Sequence, residues 1–567
     1  MAATYDLVVV GAGWFGLSSA KAYLDFHPQE KILVVEASGS CGGTWSKDRL
    51  YPGLKSNNIV GSYEHPDLPM SEAVYGVKPG EHIPAAVLHQ YLTDFAKKFG
   101  VFERTRFNTK VDTVEPSVSG GWQLHVSTGT SSEVIETKRL IIASGLTSTP
   151  NFPQYPGQES FTAPFFHAKD FCVRGDIINK AKRAVVIGGA KSAFDVAYAF
   201  AAKGDVDVDM VIREKGQGPV WLCPAYVTPL KRRTEELLHT RLLTWFSPCP
   251  WGTEDGFAKV RNFLHSTAIG RWLVRGFWKV MSNDVITLNA YDKNPLVSQL
   301  KPWNSILWTG SGVSIHNYET NFFDLVKSGK IRIHTTDVSK LDGNTVYPEN
   351  GKAIETDVVV CATGWKKDPT FKFQNLGEAG LGLPYTAVEK TGLSRKADED
   401  VLKMFPSLRN QPILKTPAPE SDPLRLYRFV VPPTMVAKRN LAFAGMVSTV
   451  STSIFAAVQG LWITAYFDGN LDRIASSQQE ITDEVMLHTQ WGKWRYPCGY
   501  GARLPDFAFD ALCYIDLMLR DLGLKNHRKK SQMEEIFKPY KPTDYAGLVE
   551  EWEAGHDGYP VKVNGIH

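Results

Sequence analysis

Two stretches of the chain carry the same ordering of apolar and polar positions. In TYDLVVVGAGWFGLSSAKAYL, from Thr4, an unbroken apolar run ends at a glycine turn and continues into an Ala-rich segment with apolar residues at helical spacing. KRAVVIGGAKSAFDVAYAF, from Lys182, repeats this with an offset of 177 residues, which places Gly11 over Gly188, Gly13 over Ala190 and Gly16 over Ala193. A continuous β-branched run reads as a parallel strand buried on both faces, and the periodic segment after it as a helix. Two other buried-strand patterns, LIIASG at 140–145 and VVVCATG at 358–364, each end in a small-small-glycine turn. One precedes the second glycine motif and the other follows it, so they read as the two crossings of one domain inserted into another. The expected fold class is α/β with two nested Rossmann-like domains. Residues 1–160 and 363–567 form the outer one, with a C-terminal extension, and residues 161–362 the inserted one.

Other stretches are less regular. Residues 215–305, rich in Trp, Pro and Arg, read as helical excursions and loops at the domain cleft, where Trp221, Trp245, Trp251 and Trp303 suggest an apolar pocket. Residues 440–467 carry no formal charge, but Ser448, Thr449, Ser451, Thr452, Ser453, Gln459 and Thr464 run through them, which suits a strand, loop and helix better than a membrane span. Residues 507–522 read as an amphipathic helix packed on the core rather than on a membrane surface, followed by a solvated basic end, KNHRKK, at 525–530. At ~150 residues per domain, 567 residues suit more than one domain. A formal charge of +3 offers no global field to nucleic acid or an acidic membrane. Seven Cys without a C-x-x-C pair make neither a disulfide framework nor a zinc site, and fit an intracellular, cytoplasmic setting. The N-terminus lacks the basic region of a signal peptide.

The first glycine turn has the context that makes G-x-G-x-x-G informative. GAGWFG follows the strand at 6–10, opens a helix and precedes a second strand at 32–35 ending in Glu36, 20 residues beyond Gly16. Gly11 permits the tight turn, Gly13 the approach of a pyrophosphate, and Gly16 close helix-strand packing, with Trp14 and Phe15 at the helix start. Glu36 would accept from a ribose 2′-OH and repel a 2′-phosphate, so the site suits FAD or NAD. SGSCGGTW at 38–45 then adds a second glycine pair, the pattern of flavoproteins, which sets Gly43, Thr44 and Trp45 beside the cofactor. The second turn, GGAKSA at 188–193, keeps Gly188 but has Ala190, whose methyl would hold a pyrophosphate slightly away. Lys191 and Ser192 at its helix start can still bind phosphate, and Ala193 takes the third glycine position. The following strand, at 207–212, ends in Arg213, a cation that can pair with a 2′-phosphate, so this site prefers NADPH.

Taken in order, GAGWFG, Glu36, GGTW at 42–45, YPGLKSNN at 51–58 and ATGW at 362–365 resemble the class B flavin monooxygenases, which include flavin-containing and Baeyer-Villiger monooxygenases. Fungal secondary-metabolism enzymes of this type are nearest in character. FTAPFFHAKDF at 161–171 resembles the family fingerprint through Phe161, His167 and Phe171, with Ala163 in place of its glycine. The resemblance implies FAD and NADPH as cofactors, flavin contacts at Ser144 and Gly145, and Gln459 near the flavin ring. It implies that NADPH reduces the flavin, that O2 forms a C4a-(hydro)peroxyflavin, and that one oxygen atom passes to a small organic substrate. Asn57 aligns with the Asn of the N- and S-oxygenating enzymes, ten residues before Asp67. Baeyer-Villiger enzymes usually place Asp there, paired with an Arg. Asn58 could serve in a shifted register, and YPG is shared with Baeyer-Villiger sequences, so ketone oxidation stays open. A disulfide reductase would need a redox Cys pair, and a non-oxygenating FAD/NADPH sensor is kept open by Ala163 and Ala190.

Overall fold

The computed structural model describes residues 3–228, 231–367, 370–376, 387–416 and 423–556. Every expected site residue lies among them, while the chain ends, 1–2 and 557–567, lie outside. Strand Ala3–Val10 runs parallel between Ile32–Val35 and Ser131–Ile142, with Val8 opposite both Leu33 and Leu140. Successive strand residues face opposite sides of a sheet. Leu7, Val8 and Val9 are all fully buried, so both faces are covered, which is why the apolar run is unbroken.

The first sheet has eight strands. Its path runs from Lys372–Phe373 through Lys110–Pro116, Trp122–Thr128, Ser131–Ile142, Ala3–Val10 and Ile32–Val35 to Thr105–Arg106, and Leu441–Phe443 also pairs with Ser131–Ile142. In LIIASG, residues 140–142 end a 12-residue strand and 143–145 are the turn that follows it. The first half of that strand pairs antiparallel with Trp122–Thr128, and its last three residues take Leu441–Phe443 in parallel. The second sheet is wholly parallel, in the order Phe165–His167, Val358–Cys361, Arg183–Ile187, Asp207–Ile212, Ile331–Thr335. Between the sheets the chain crosses twice, and the crossings pair with each other: Thr149–Pro150 lies antiparallel to Trp365–Lys366.

The irregular region at 215–305 contains helices Arg241–Trp245, Ala258–Ser266 and Ala268–Leu288. Its inner side packs on the C-terminal third through polar side chains. Arg241, fully buried, donates to Asp516, to Glu535 at 3.2 Å and to the Tyr540 hydroxyl at 3.1 Å. Arg261 donates to Asp255 and to the Thr244 carbonyl, each at 2.6 Å. Trp251 is buried against Trp491, Phe429, Phe507 and His488, and Trp221 is buried with its indole donating to the Asn304 carbonyl. These two tryptophans are core rather than pocket wall, and Trp245 meets Phe257 at a tilt, with ring centroids 5.0 Å apart. Trp303 packs on Gly218.

The C-terminal elements depart from expectation in two respects. The amphipathic helix spans Ala511–Asp521, because Asp506–Phe507 forms a short strand with Ser448–Thr449, and it is buried nearly all round. The basic end is not simply solvated: Arg528 donates to Glu551 and Lys529 to Asp544, each at 2.6 Å. Among the described residues no helix is long and apolar enough to cross a membrane. Breaking a buried ion pair by removing one partner costs ~3–5 kcal/mol, because the other charge is left unpaired. Arg241→Ala should therefore lower the unfolding free energy by that amount, measured by urea titration of the FAD-loaded protein. A loss under ~1 kcal/mol would show that the clamp carries little stability.

Candidate functional site

Both glycine turns are shaped by the strand beside them. Gly11 has φ +108°, and a Cβ there would stand 2.4 Å from the carbonyl oxygen of Ala143; Gly188 has φ +150°, and a Cβ there would stand 2.4 Å from that of Ala362. The small residues ending LIIASG and VVVCATG thus supply the carbonyl that each first glycine packs under. A Cβ on Gly16 would lie 1.8 Å from the Gly11 oxygen, so the third glycine is required. In the second turn Ala193 occupies that place, with its methyl buried. Gly13 and Ala190 are both N-caps in extended conformation, with φ −87° and −94°. Alanine adopts that backbone without strain, so the Ala190 methyl acts only on the space a phosphate would enter.

Around the first turn the backbone of Gly13 abuts that of Gly43, where an added Cβ would sit 3.1 Å from the Gly13 Cα. Glu36 is 7% exposed and accepts from Ala12 N at 2.7 Å and Ser38 N at 2.8 Å. Burial, the largest influence, lifts its pKa above the ordinary carboxylate value, against those two N–H bonds, which favour the charge. Each oxygen keeps a lone pair for a ribose hydroxyl. Among the described residues the Oγ atoms of Ser46, next to Gly42, and Ser144, next to Gly11, are buried without a hydrogen-bond partner. Gly145, at φ +73°, faces open space. Unpaired hydroxyls and first-turn N–H groups of helix Trp14–Phe26 beside a glycine cradle fit a ligand rich in phosphate and hydroxyl oxygens, as FAD is.

Several expected contacts are redirected. The Trp14 ring packs on Tyr63 and Tyr91, with centroids 5.1 and 5.8 Å away, so only its backbone remains at the turn. Phe15 packs under Gly445, where an added Cβ would lie 2.4 Å from its ring. Gln459 is fully buried: its Oε1 accepts from Gly445 N and its Nε2 donates to the Tyr514 hydroxyl, both at 2.9 Å. It positions the Gly445 loop from inside the core. Thr44 bonds Thr147 at 3.1 Å, and Trp45 donates to the Tyr63 hydroxyl at 3.3 Å. The Lys191 ammonium is committed to Asp195 and, at 2.9 Å, to Asn317, leaving its backbone N–H and the exposed Ser192 at the second helix start. Arg213 is exposed at the end of Asp207–Ile212 and makes no ion pair among the described residues, while Glu214 bonds Asn350.

Asn57 and Asn58 point to opposite sides, as neighbours in a strand do. The Asn58 Nδ2 donates to the Val450 carbonyl at 3.0 Å. Asn57 faces the inserted region, where its Oδ1 accepts from Ser314 Oγ at 3.2 Å. Three residues further on, Asn317 Nδ2 donates to the Ser56 carbonyl at 2.9 Å while its Oδ1 receives Lys191. One short segment thus joins the second glycine turn to the strand carrying Asn57. Asp67 is spent on Lys21. The sequence reading did not find Ser314 or Asn317, common residue types in an unpatterned stretch, and only long-range pairing reveals them.

His167 belongs to the seam. Its Nδ1 accepts from Lys169 N at 3.1 Å, which leaves the proton on Nε2, 3.1 Å from the Gly364 carbonyl. The ring meets Trp365 edge-on at 5.0 Å, and Arg49 covers Trp365 at 5.0 Å. Burial holds the imidazole below its ordinary pKa. Both nitrogens are committed, so His167 positions the crossing rather than moving protons. Cys41, beside the flavin-side turn, has its thiol pushed up to about 12 by burial, which makes it an inert packing residue there.

Glu36→Ala strips two backbone N–H groups of their acceptor and should weaken FAD retention at least ~10-fold, read as flavin fluorescence released on dilution. Unchanged retention would show that Glu36 only braces the turn. Because the fold prefers neutral His167, its stabilisation is complete above ~6.5, the unfolded value, and is lost as pH falls through the lowered folded value. Between pH 7.5 and 5 the wild-type melting temperature should therefore fall further than that of His167→Gln; parallel curves would argue against the assigned tautomer.

Residues 8–242 match the family described as pyridine nucleotide-disulphide oxidoreductase. The FAD-dependent monooxygenase rstn6 of Aspergillus nomiae is 35% identical over 97% of this chain and 98% of its own length. An FAD-dependent monooxygenase of Pyrenophora dematioidea is 36% identical over 94% and 100%. The open crystal structure of cyclohexanone monooxygenase shares the fold, with a TM-score of 0.60 at 17% identity over 92% of this chain and 98% of that one. The chain belongs to the FAD-dependent monooxygenases.

Proposed function

We propose that this enzyme consumes NADPH and inserts one oxygen atom from O2 into a small organic substrate by N-, S- or C-oxygenation. The outer unit, 1–160 with 363–567, is assigned to FAD and the inserted unit, 161–362, to NADPH. The observation that carries the subtype is the partner of Asn57: a serine hydroxyl, not a guanidinium. A neutral Asn–Ser pair presents an amide donor without the ionic pair of ketone-oxidising relatives. When bound, the flavin supplies oxygen activation and the nicotinamide supplies the hydride.

The chain's own residues orient these groups and exclude water. The glycine cradles and helix N-termini hold two pyrophosphates. Arg213, free of carboxylates among the described residues, is placed to pair with a 2′-phosphate. The Asn57 Nδ2 is left to donate toward the reacting oxygen while Ser314 fixes the rotamer. Asn317 ties Lys191 to Ser56, so occupancy of the nicotinamide site bears directly on the strand that carries Asn57.

The reading is tested by following NADPH oxidation and the incorporation of isotopically labelled O2 into thioether, amine and ketone panels. Labelled sulfoxide or N-oxide supports it, ester from a ketone favours Baeyer-Villiger oxidation, and no incorporation overturns both. Arg213→Ala should narrow the NADPH over NADH preference in kcat/KM by ~10- to 100-fold, the worth of a charge-assisted bond. Unchanged discrimination would remove Arg213 from that role. Asn57→Ala should raise the hydrogen peroxide released per NADPH oxidised several-fold, and unaltered coupling would exclude Asn57 from the oxygen-transfer step.

A further inference from the structure

Helix Ala268–Leu288 buries one face only. Gly270, Val274, Trp278, Ser282 and Val285 pack inward, with Trp278 4.7 Å from the Phe509 ring and its indole donating to the Phe246 carbonyl at 2.9 Å. Among the described residues the opposite face has no partner. Ile269 is 67% exposed, Trp272 65%, Val280 59% and Leu273 39%. At 100° per residue these four, with Gly276, share one arc of the helix. Single exposed apolar residues are ordinary, but four on one arc, with exposed Phe263 on the helix before, form a patch.

Charge lies along the edge of that arc. Arg271, Arg275 and Lys279, spaced four apart, form a row on one side of it. From residue 256 to 283 the chain contains no Asp or Glu, while Lys259, Arg261, Arg271, Arg275 and Lys279 fall within it. Arg261 is neutralised inside the fold by Asp255, so the other four set the charge of this face. Asp284, the next acid, is turned onto the backbone N and hydroxyl of Thr228.

An apolar strip bordered by cations, with a tryptophan in it, has the chemistry of a helix lying in the plane of a bilayer interface. A second copy of this chain packed antiparallel on this face, across a two-fold axis perpendicular to the helix, would bring two cation rows together. An anionic lipid surface instead offers acyl chains to the strip and headgroup charge to the row. We propose that helix Ala268–Leu288 docks the enzyme peripherally on an anionic bilayer. The other amphipathic helix, Ala511–Asp521, which the sequence already placed on the core, is buried and takes no part.

The test is co-sedimentation of FAD-loaded protein with phosphatidylcholine vesicles, with and without phosphatidylserine. Wild type should pellet with the anionic vesicles and be released by high salt. Arg275→Gln with Lys279→Gln should weaken binding about 25-fold, at roughly fivefold per cation. Trp272→Asp with Leu273→Ser should weaken it at least ~10-fold by removing the inserted strip. Both variants alter exposed positions, and unchanged melting temperatures will show that they fold. Brominated acyl chains should quench a fluorescence component that Trp272→Phe lacks. Wild type left in the supernatant with both vesicle types overturns the proposal. So does binding indifferent to Trp272→Asp with Leu273→Ser, which marks adsorption without insertion, or a dimer in light scattering that the same substitution dissolves.

Discussion

The carbonyl at the end of one strand, pressed against a glycine at the end of the next, is the contact on which both cofactor sites depend. It occurs twice with the same separation, at Gly11 under Ala143 and Gly188 under Ala362. A side chain at either glycine would collide with backbone, which cannot swing away as a flexible side chain can. The positive φ adds strain for any other residue, on the order of 1–3 kcal/mol. Holding the strand ends this close fixes where each helix begins, and so where its unpaired N–H groups point. The two alanines in the second motif leave this contact untouched: Ala190 caps the helix in ordinary extended geometry and Ala193 packs inward.

The parts of the fold legible in the sequence are those where physics writes an uninterrupted signal. Parallel strands covered on both faces leave runs such as LVVV and VVVC, and the repeat at 177 residues doubled that signal. Strands Lys110–Pro116 and Trp122–Thr128 face solvent on one side and alternate, so they merged into loop-like sequence. For the site, motif spacing identified which residues stand at each turn but not where their side chains go. Trp14 and Gln459 turned into the core, and Lys191 turned to Asp195 and Asn317, because burial and pairing with distant elements decided the rotamer. Ser314 meets Asn57 across 257 positions, a distance no local pattern spans.

Where the chain crosses between the units, at 149–150 and 365–366, the seam is held by directed contacts, beside the aromatic packing of Trp251 and Trp278 on the C-terminal third. Trp365 is held between the Arg49 guanidinium and the His167 ring, and Lys169 Nζ reaches back to the Ser148 carbonyl at 3.0 Å. Such contacts hold one relative orientation well and lose strength steeply when it changes. The Lys191–Asn317–Ser56 chain is of the same kind, so it reports the relative position of the two turns to the strand carrying Asn57.

The Arg241 clamp sets the order in which this molecule can be assembled. All strands of the second sheet lie between residues 165 and 361, whereas the first sheet needs Leu441–Phe443 and the excursion needs Asp516 and Glu535. At about 5–20 residues per second a ribosome takes on the order of 15–55 s to deliver Asp516 after Arg241. Through that interval the guanidinium destined for the interior stays hydrated and the excursion has nothing to close on. The inserted unit therefore completes its sheet while the unit that contains it is still open, and the container closes last, together with the excursion, around a finished sheet.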